Sequence, residues 1–250
     1  MDSLQEVLCH SLSLFHQREF AAAERTLREG LERFADAGCL WQLLGLVQND
    51  TGAWQEARSS LEMASCLVPL EPAASYTLAI CYLREEQRDL AILLLRGVAV
   101  NSSTPLWLLP LTAALLGHLK EDAHALAACR QIVRRDIKRH DAHFGVGFYS
   151  RRMRLPSVRA LVSFRRAHEL APDVPLYRVV LAGLHQERGE IDEACDLLRD
   201  VSAEKVGCPT QLRRMMSVFQ SAGELRGVRR CETVLRRMSP DCDCGEKRSS

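Results

Sequence analysis

The chain has 250 residues, of which 47% are hydrophobic and 26% charged. Folding at that length can remove about 70–75% of the surface an unfolded chain exposes, and the composition lies far from that of disordered polypeptides, so a packed core is expected without disulfide or metal staples. Lys and Arg number 33 against 32 Asp and Glu, a balance that names no class of partner.

The distribution of charge is more informative. Residues 1–129 carry 9 Lys or Arg and 16 Asp or Glu, residues 130–166 carry 11 and 2, and residues 167–250 carry 13 and 14. A strongly basic segment thus follows an acidic arm. Met1 to Glu6 place acid where a secretory signal carries base. The longest apolar run, Thr104 to Gly117, contains Pro105 and Pro110 and falls short of the ~20 residues of a membrane span. A soluble, cytoplasmic protein is expected.

In chain order, the apolar and small residues recur about every 34 positions. A weak first copy holds Leu14, Phe20, Ala23, Leu27 and Gly30. In the second, Trp41, Leu44, Gly45 and Gln48 share one stripe of a helix, and Trp54, Ala57, Leu61 and Ala64 share one stripe of the next. Asn49-Asp50-Thr51-Gly52 reads as the linker of that antiparallel pair, and Pro69 closes it. Leu78, Ala79, Tyr82, Ala91, Leu95 and Val98 form the third copy.

The fourth copy fits worst. Ser102-Ser103-Thr104-Pro105 offers a helix start, and Pro110 inside the following helix is expected to kink it. The pattern then returns as Phe144, Phe148, Ala160, Phe164, Ala167 and Pro172, and next as Leu181, Ala182, Gly189, Ile191, Ala194, Leu198 and Val201. Leu212, Met215, Met216, Phe219, Gly223, Leu225, Leu235 and Pro240 form the last copy. Keeping all seven in phase calls for one extra residue near 137–141 and a slip near 35–38. A helix pair of this kind leaves an apolar face uncovered, so neighbouring pairs must stack.

These residues resemble the tetratricopeptide repeat, whose pattern Trp-x2-Leu-Gly-x2-Tyr, Ala-x3-Phe and Pro is matched by Trp41, Leu44, Gly45, Ala57 and Pro69, with Gln48 for Tyr and Leu61 for Phe. The resemblance implies an all-α, right-handed superhelical solenoid of about seven antiparallel helix pairs over residues 1–240, with 241–250 as a flexible polar tail. It also implies a concave groove lined by the first helix of each repeat. The matching positions are Leu46, Asn49 and Asp50, then Tyr76, Ile80, Leu83 and Arg84, then Trp107. Tyr149, Arg152 and Met153 follow, then Gln186 and Glu187, then Arg213 and Gln220. Tyr76 and Tyr149 are the expected aromatic anchors. Leu46 and Ile80 stand where the family's terminal-carboxylate clamp would need Asn or Lys.

Motifs for catalysis are missing from the sequence. It has no phosphate-cradling loop, no dinucleotide fingerprint and no His-Glu-x-x-His. His140-Asp141-Ala142-His143 offers two imidazoles in an expected inter-repeat loop, and Cys242-Asp243-Cys244-Gly245 offers two thiols, too few for a closed zinc site. No metal, cofactor or enzyme activity is therefore expected. Ten cysteines scattered through helical patterns read as reduced thiols filling small apolar positions.

The expected function is a non-catalytic adaptor or scaffold that binds an extended peptide or helix of another protein, with acidic character, in its groove. The alternative is a nucleic-acid-binding solenoid using the basic face of Arg130, Arg134, Lys138, Arg139, Arg154 and Arg159. Arg135, Arg151, Arg152, Arg165 and Arg166 belong to the same basic segment.

Overall fold

A computed structural model describes residues 3–238, and the tail expected from 241 onward lies outside them. Among the described residues the regular structure is helical throughout: α1 (Leu4–His16), α2 (Phe20–Arg33), α3 (Gly38–Asp50), α4 (Trp54–Leu67), α5 (Pro72–Arg84), α6 (Arg88–Val100), α7 (Leu108–His118), α8 (Asp122–Arg135), α9 (His140–Arg152), α10 (Ser157–Leu170), α11 (Pro175–Glu187), α12 (Ile191–Leu198), α13 (Pro209–Ser221) and α14 (Leu225–Arg237), with one 3-10 turn at Ala203–Lys205. The chain divides into two compact units, residues 1–132 and 133–250.

In the first unit α1 packs on α2, α3 on α4 and α5 on α6, and the pairs join through α2 with α3, α4 with α5 and α6 with α7. In the second, α9 packs on α10, α11 on α12 and α13 on α14, with α10 against α11, α12 against α13, and α11 directly against α13. Each core is made where large side chains of one helix meet small ones of the next. Leu27, Leu40, Leu44, Leu61, Leu95 and Leu116 are fully buried in the first unit, and Phe164, Leu198 and Leu212 in the second.

Gly45 shows why the small residue is required. A Cβ placed there would lie 2.5 Å from Leu61 Cγ and 3.1 Å from the Ala57 carbonyl oxygen. Gln48, the position where the repeat pattern has Tyr, is also buried, and Ser60 Oγ donates to its Oε1 at 2.7 Å. The substitution thus keeps a satisfied polar pair inside the helix hairpin.

The reversal within each pair uses one backbone state. Arg18, Gly52, Glu86, Lys120, Arg154, Gly189 and Gly223 all have positive φ, between 54° and 85°. The first five are 34 residues apart, the interval from Arg154 to Gly189 is 35, and the last is 34 again. This corrects the expected phase: no residue is inserted near 137–141 and no slip occurs near 35–38, and the one extra residue falls between Arg154 and Gly189. The linker after α3 is also shorter than expected, because the helix runs on through Asp50.

Two further local expectations are corrected. Pro110 does not kink a helix, because α7 begins at Leu108 and places Pro110 in its first turn, where the missing N–H has no intrahelical acceptor. The preceding residues form turns, with Thr104 buried and its hydroxyl donating to the Val98 carbonyl at 2.7 Å. His140 to His143 are not a loop but the first turn of α9. His140 Nδ1 lies 2.7 Å from the Tyr177 hydroxyl, and His143 Nε2 lies 2.9 Å from the Ile137 carbonyl oxygen. Both imidazoles are thereby engaged in joining elements of the second unit.

Candidate functional site

The first helices of the second unit, α9, α11 and α13, enclose a cleft of about 430 Å3. Phe144 and Phe148 of α9, Phe164 of α10, and Leu176 and Val180 of α11 form its apolar wall. Arg151, Arg152, Cys208, Gln211 and Arg214 complete the lining. Phe144 sits at the centre of an aromatic set, 5.2 Å from Phe164, 5.0 Å from Tyr177 and 6.4 Å from Phe148 between ring centroids. Phe164 can approach because residue 147 is glycine: a Cβ there would lie 2.8 Å from the phenyl ring. The wall is therefore a consequence of the same small-against-large packing that builds each helix pair.

The arginines are held in different ways. Arg151 Nη2 pairs with Glu187 Oε1 at 2.7 Å, tying α9 to α11. The Arg152 guanidinium lies 5.7 Å from the centre of the Phe148 ring, a cation–π distance. Arg214 reaches along α11, its Cδ only 2.8 Å from where a Cβ of Gly183 would stand. The cleft thus combines an apolar floor with cationic edges. Such a surface can bury a large apolar side chain while giving neighbouring carboxylates bidentate partners.

Of the residues expected in the groove, Arg152 lines this cleft and Tyr149 does not. Tyr149 is 8% exposed, and Phe148 and Arg151, each one residue earlier than Tyr149 and Arg152, take their places. The cause is the misplaced insertion: with an unbroken interval of 34, Ile80, Leu83 and Arg84 correspond to Phe148, Arg151 and Arg152 rather than to Tyr149, Arg152 and Met153. Phe144 correspondingly matches Tyr76. Gln186 points toward α13, where its Nε2 donates to Ser217 O and Oγ and to Ser221 Oγ. Arg213 is exposed on α13, and its neighbour Arg214 is the one that reaches the cleft.

In the first unit, Leu46 and Asn49 of α3 and Tyr76, Ile80 and Leu83 of α5 are half-buried, while Arg84 is exposed. α3 and α5 are in contact, and burial pushes the Tyr76 hydroxyl pKa above its usual value. Trp107 stands at the N-cap of α7 and is 62% exposed.

The basic segment is partly neutralised. Arg139 pairs with Asp141 at 2.6 Å, and the Arg139 guanidinium holds the Asp141 carboxyl below its usual range despite partial burial. Arg166 pairs with Glu169 at 3.1 Å. Arg130, Arg134, Lys138, Arg154 and Arg159 are exposed. Among the described residues no group of three or more His, Cys, Asp or Glu is arranged to hold a metal ion, and no helix is long and apolar enough to cross a membrane. Cys9, Cys39, Cys66, Cys81, Cys129, Cys195 and Cys231 are free thiols. Cys208 departs from the expectation for reduced thiols, since it is disulfide-bonded.

The helix pairs with their recurrent turn, the glycine contacts and the period of 34 define the tetratricopeptide-repeat fold, and solved structures agree. The chain is similar to the C-terminal part of a tetratricopeptide-repeat protein from Cytophaga hutchinsonii, with 10% identity, 94% of this chain and 96% of that one covered, and a TM-score of 0.62. It is also similar to PilF of Pseudomonas aeruginosa, with 20% identity over 83% and 94% of the two chains and a TM-score of 0.57. A third is YrrB, described as a repeat protein with an unusual peptide-binding site, with 19% identity over 73% and 90% and a TM-score of 0.54. No family model matches the sequence, and no curated protein is similar to it.

Proposed function

We propose that this protein is a non-catalytic interaction module that binds a segment of another protein in the cleft of α9, α11 and α13, acting as an adaptor or scaffold. The ligand is an extended or helical stretch with a large apolar side chain flanked by Asp or Glu. The observation that supports this most directly is the joining of a phenylalanine wall to Arg151, Arg152 and Arg214 in one cleft. Aromatic and arginine side chains are those that most often anchor interfaces, because they bury much area at modest entropy cost. The likeness of fold to a structure described as peptide-binding agrees with this reading. In the first unit, Leu46, Asn49, Tyr76, Ile80, Leu83 and Arg84 offer the corresponding surface for a further apolar stretch.

The nucleic-acid reading is the weaker one. Arg139, Arg151 and Arg166 each face a carboxylate, and base stacking would need rings interleaved with the exposed cations. The test is selection of a random peptide library on the full chain under reducing conditions. Enriched peptides should pair an aromatic or long aliphatic residue with acids. Phe148→Ala, or Arg152→Glu with Arg214→Glu, should weaken the selected peptides about tenfold or more, the scale of an interface anchor at roughly 1–2 kcal/mol. Enrichment of basic peptides, or binding indifferent to both sets of substitutions, would overturn the reading.

A further inference from the structure

We infer that the chain forms a homodimer through the exposed face of α6: a second copy lays its own α6 antiparallel across the first, with Leu93 of each copy seated over Gly97 of the other. The surface lies within the first unit and uses none of the residues of the cleft.

The exposed face of α6 is apolar along its length. Leu90, Leu93 and Val100 are 45%, 66% and 61% exposed, and with Gly97, also exposed, they stand at i, i+3, i+10 and i+7, one stripe of a helix. The opposite face is the one the core uses, where Ala91, Leu95, Val98 and Ala99 are buried. The helix therefore carries a second apolar face that its own chain leaves uncovered. Single exposed apolar residues are ordinary, whereas an aligned row of them marks an interaction surface.

The repeat does not require these residues. With the interval of 34, the positions of Leu90, Leu93 and Val100 hold Glu56, Ser59 and Cys66 in the pair before and His124, Ala127 and Arg134 in the pair after. Gly97 corresponds to Met63 and Gln131. A glycine inside a helix weakens it relative to alanine. At Gly45 and Gly147 a neighbouring side chain fills the space, but a Cβ on Gly97 would meet nothing within 4 Å. The gap is thus a notch in the surface, bounded by Leu93 on one side and Val100 on the other.

A second copy fits this face because the face supplies both halves of the contact. When two α6 helices cross antiparallel at the level of Leu95, Leu93 meets the second copy's Gly97 and Leu90 meets its Val100, and a two-fold axis makes each contact occur twice. In the same register Asp89 faces the second copy's Asn101. Asn101 accepts from Ser103 N and Oγ through its Oδ1, so its amide donor is the group that can meet a carboxylate. The cations of α6 are directed back to their own chain: Arg96 forks onto Glu121 at 2.8 to 3.0 Å, and Arg88 Nη2 donates to the Leu119 carbonyl at 2.6 Å. No like charges therefore oppose each other across the axis. One helix per copy covers less than the ~800 Å2 a side of a standard interface, so the dimer is weak and reversible.

Sedimentation of the full chain under reducing conditions, from about 1 µM to about 1 mM, should show the monomer giving way to a dimer. Leu93→Ala and Gly97→Leu should each weaken association about tenfold or more, the first by removing the projecting side chain and the second by filling the notch. Neither substitution disturbs the fold, since Leu93 is mostly exposed and Gly97 has open space beside it. Combining them exchanges projection and notch, so the double variant should return to within a few-fold of the original affinity. Val162→Ala, at an exposed valine of α10, should change nothing. A monomer at every concentration, a dimer indifferent to both single variants, or a double variant weakened by the product of the two single effects overturns the inference.

Discussion

At the scale of single residues, the buried pair of Ser60 and Gln48 shows how the chain departs from its repeat pattern without loss. Ser60 Oγ donates to Gln48 Oε1 at 2.7 Å, and both residues are buried. Removing one partner leaves the other's amide oxygen without a donor, a penalty of about 1–3 kcal/mol, whereas replacing both with apolar groups of similar shape is close to neutral. Ser60→Ala should therefore lower the denaturation free energy by about that amount, and Ser60→Ala with Gln48→Met should recover most of it. Additive losses in the double variant would show that the pair does not interact. Gly147 illustrates a link to the site, since its missing Cβ lets Phe164 lie against α9 and complete the cleft wall.

At the scale of elements, the turn between the two helices of each pair is the most regular feature. Its left-handed residue is glycine in three of the seven pairs and Arg18, Glu86, Lys120 or Arg154 in the others. A side chain with a Cβ is strained in that conformation by about 1 kcal/mol, and glycine is not. Glu86→Gly should therefore stabilise the protein by up to about 1 kcal/mol in denaturant unfolding, with binding unchanged. A clear loss of stability would mean that the Glu86 side chain contributes more than its backbone costs. The helices themselves were legible in the sequence because spacings such as Trp41, Leu44, Gly45 and Gln48 report one face of a helix directly. The register of the fifth pair was not. Non-glycine residues occupy its turn, at Arg154, so nothing in the sequence marked the phase, and the expected Tyr149 gave way to Phe148.

At the scale of the whole molecule, stability in a stacked array is close to a sum of pair stabilities and nearest-neighbour contacts. Leu27 is fully buried between α1, α2 and α3. Leu27→Ala should cost about 2–5 kcal/mol locally, and native-state hydrogen exchange should speed up in α1 to α3 while α13 and α14 keep their protection. Equal acceleration everywhere would show a single global folding unit instead. The binding prediction also belongs here, since the cleft depends on α9, α11 and α13 meeting at one place.

The sequence by itself determined that the chain is helical, paired and repetitive, because helix periodicity and the alternation of small and large residues are local properties read at fixed spacing. It also pointed to arginine and aromatic side chains as the chemistry of the proposed binding surface. Only the tertiary structure decided which of them meet. Phe144 and Phe148 lie on α9, Leu176 on α11, and Arg214 on α13, and their convergence depends on the phase of each pair. A one-residue error there rotates a helix by about 100° and exchanges its wall-forming side chains for their neighbours.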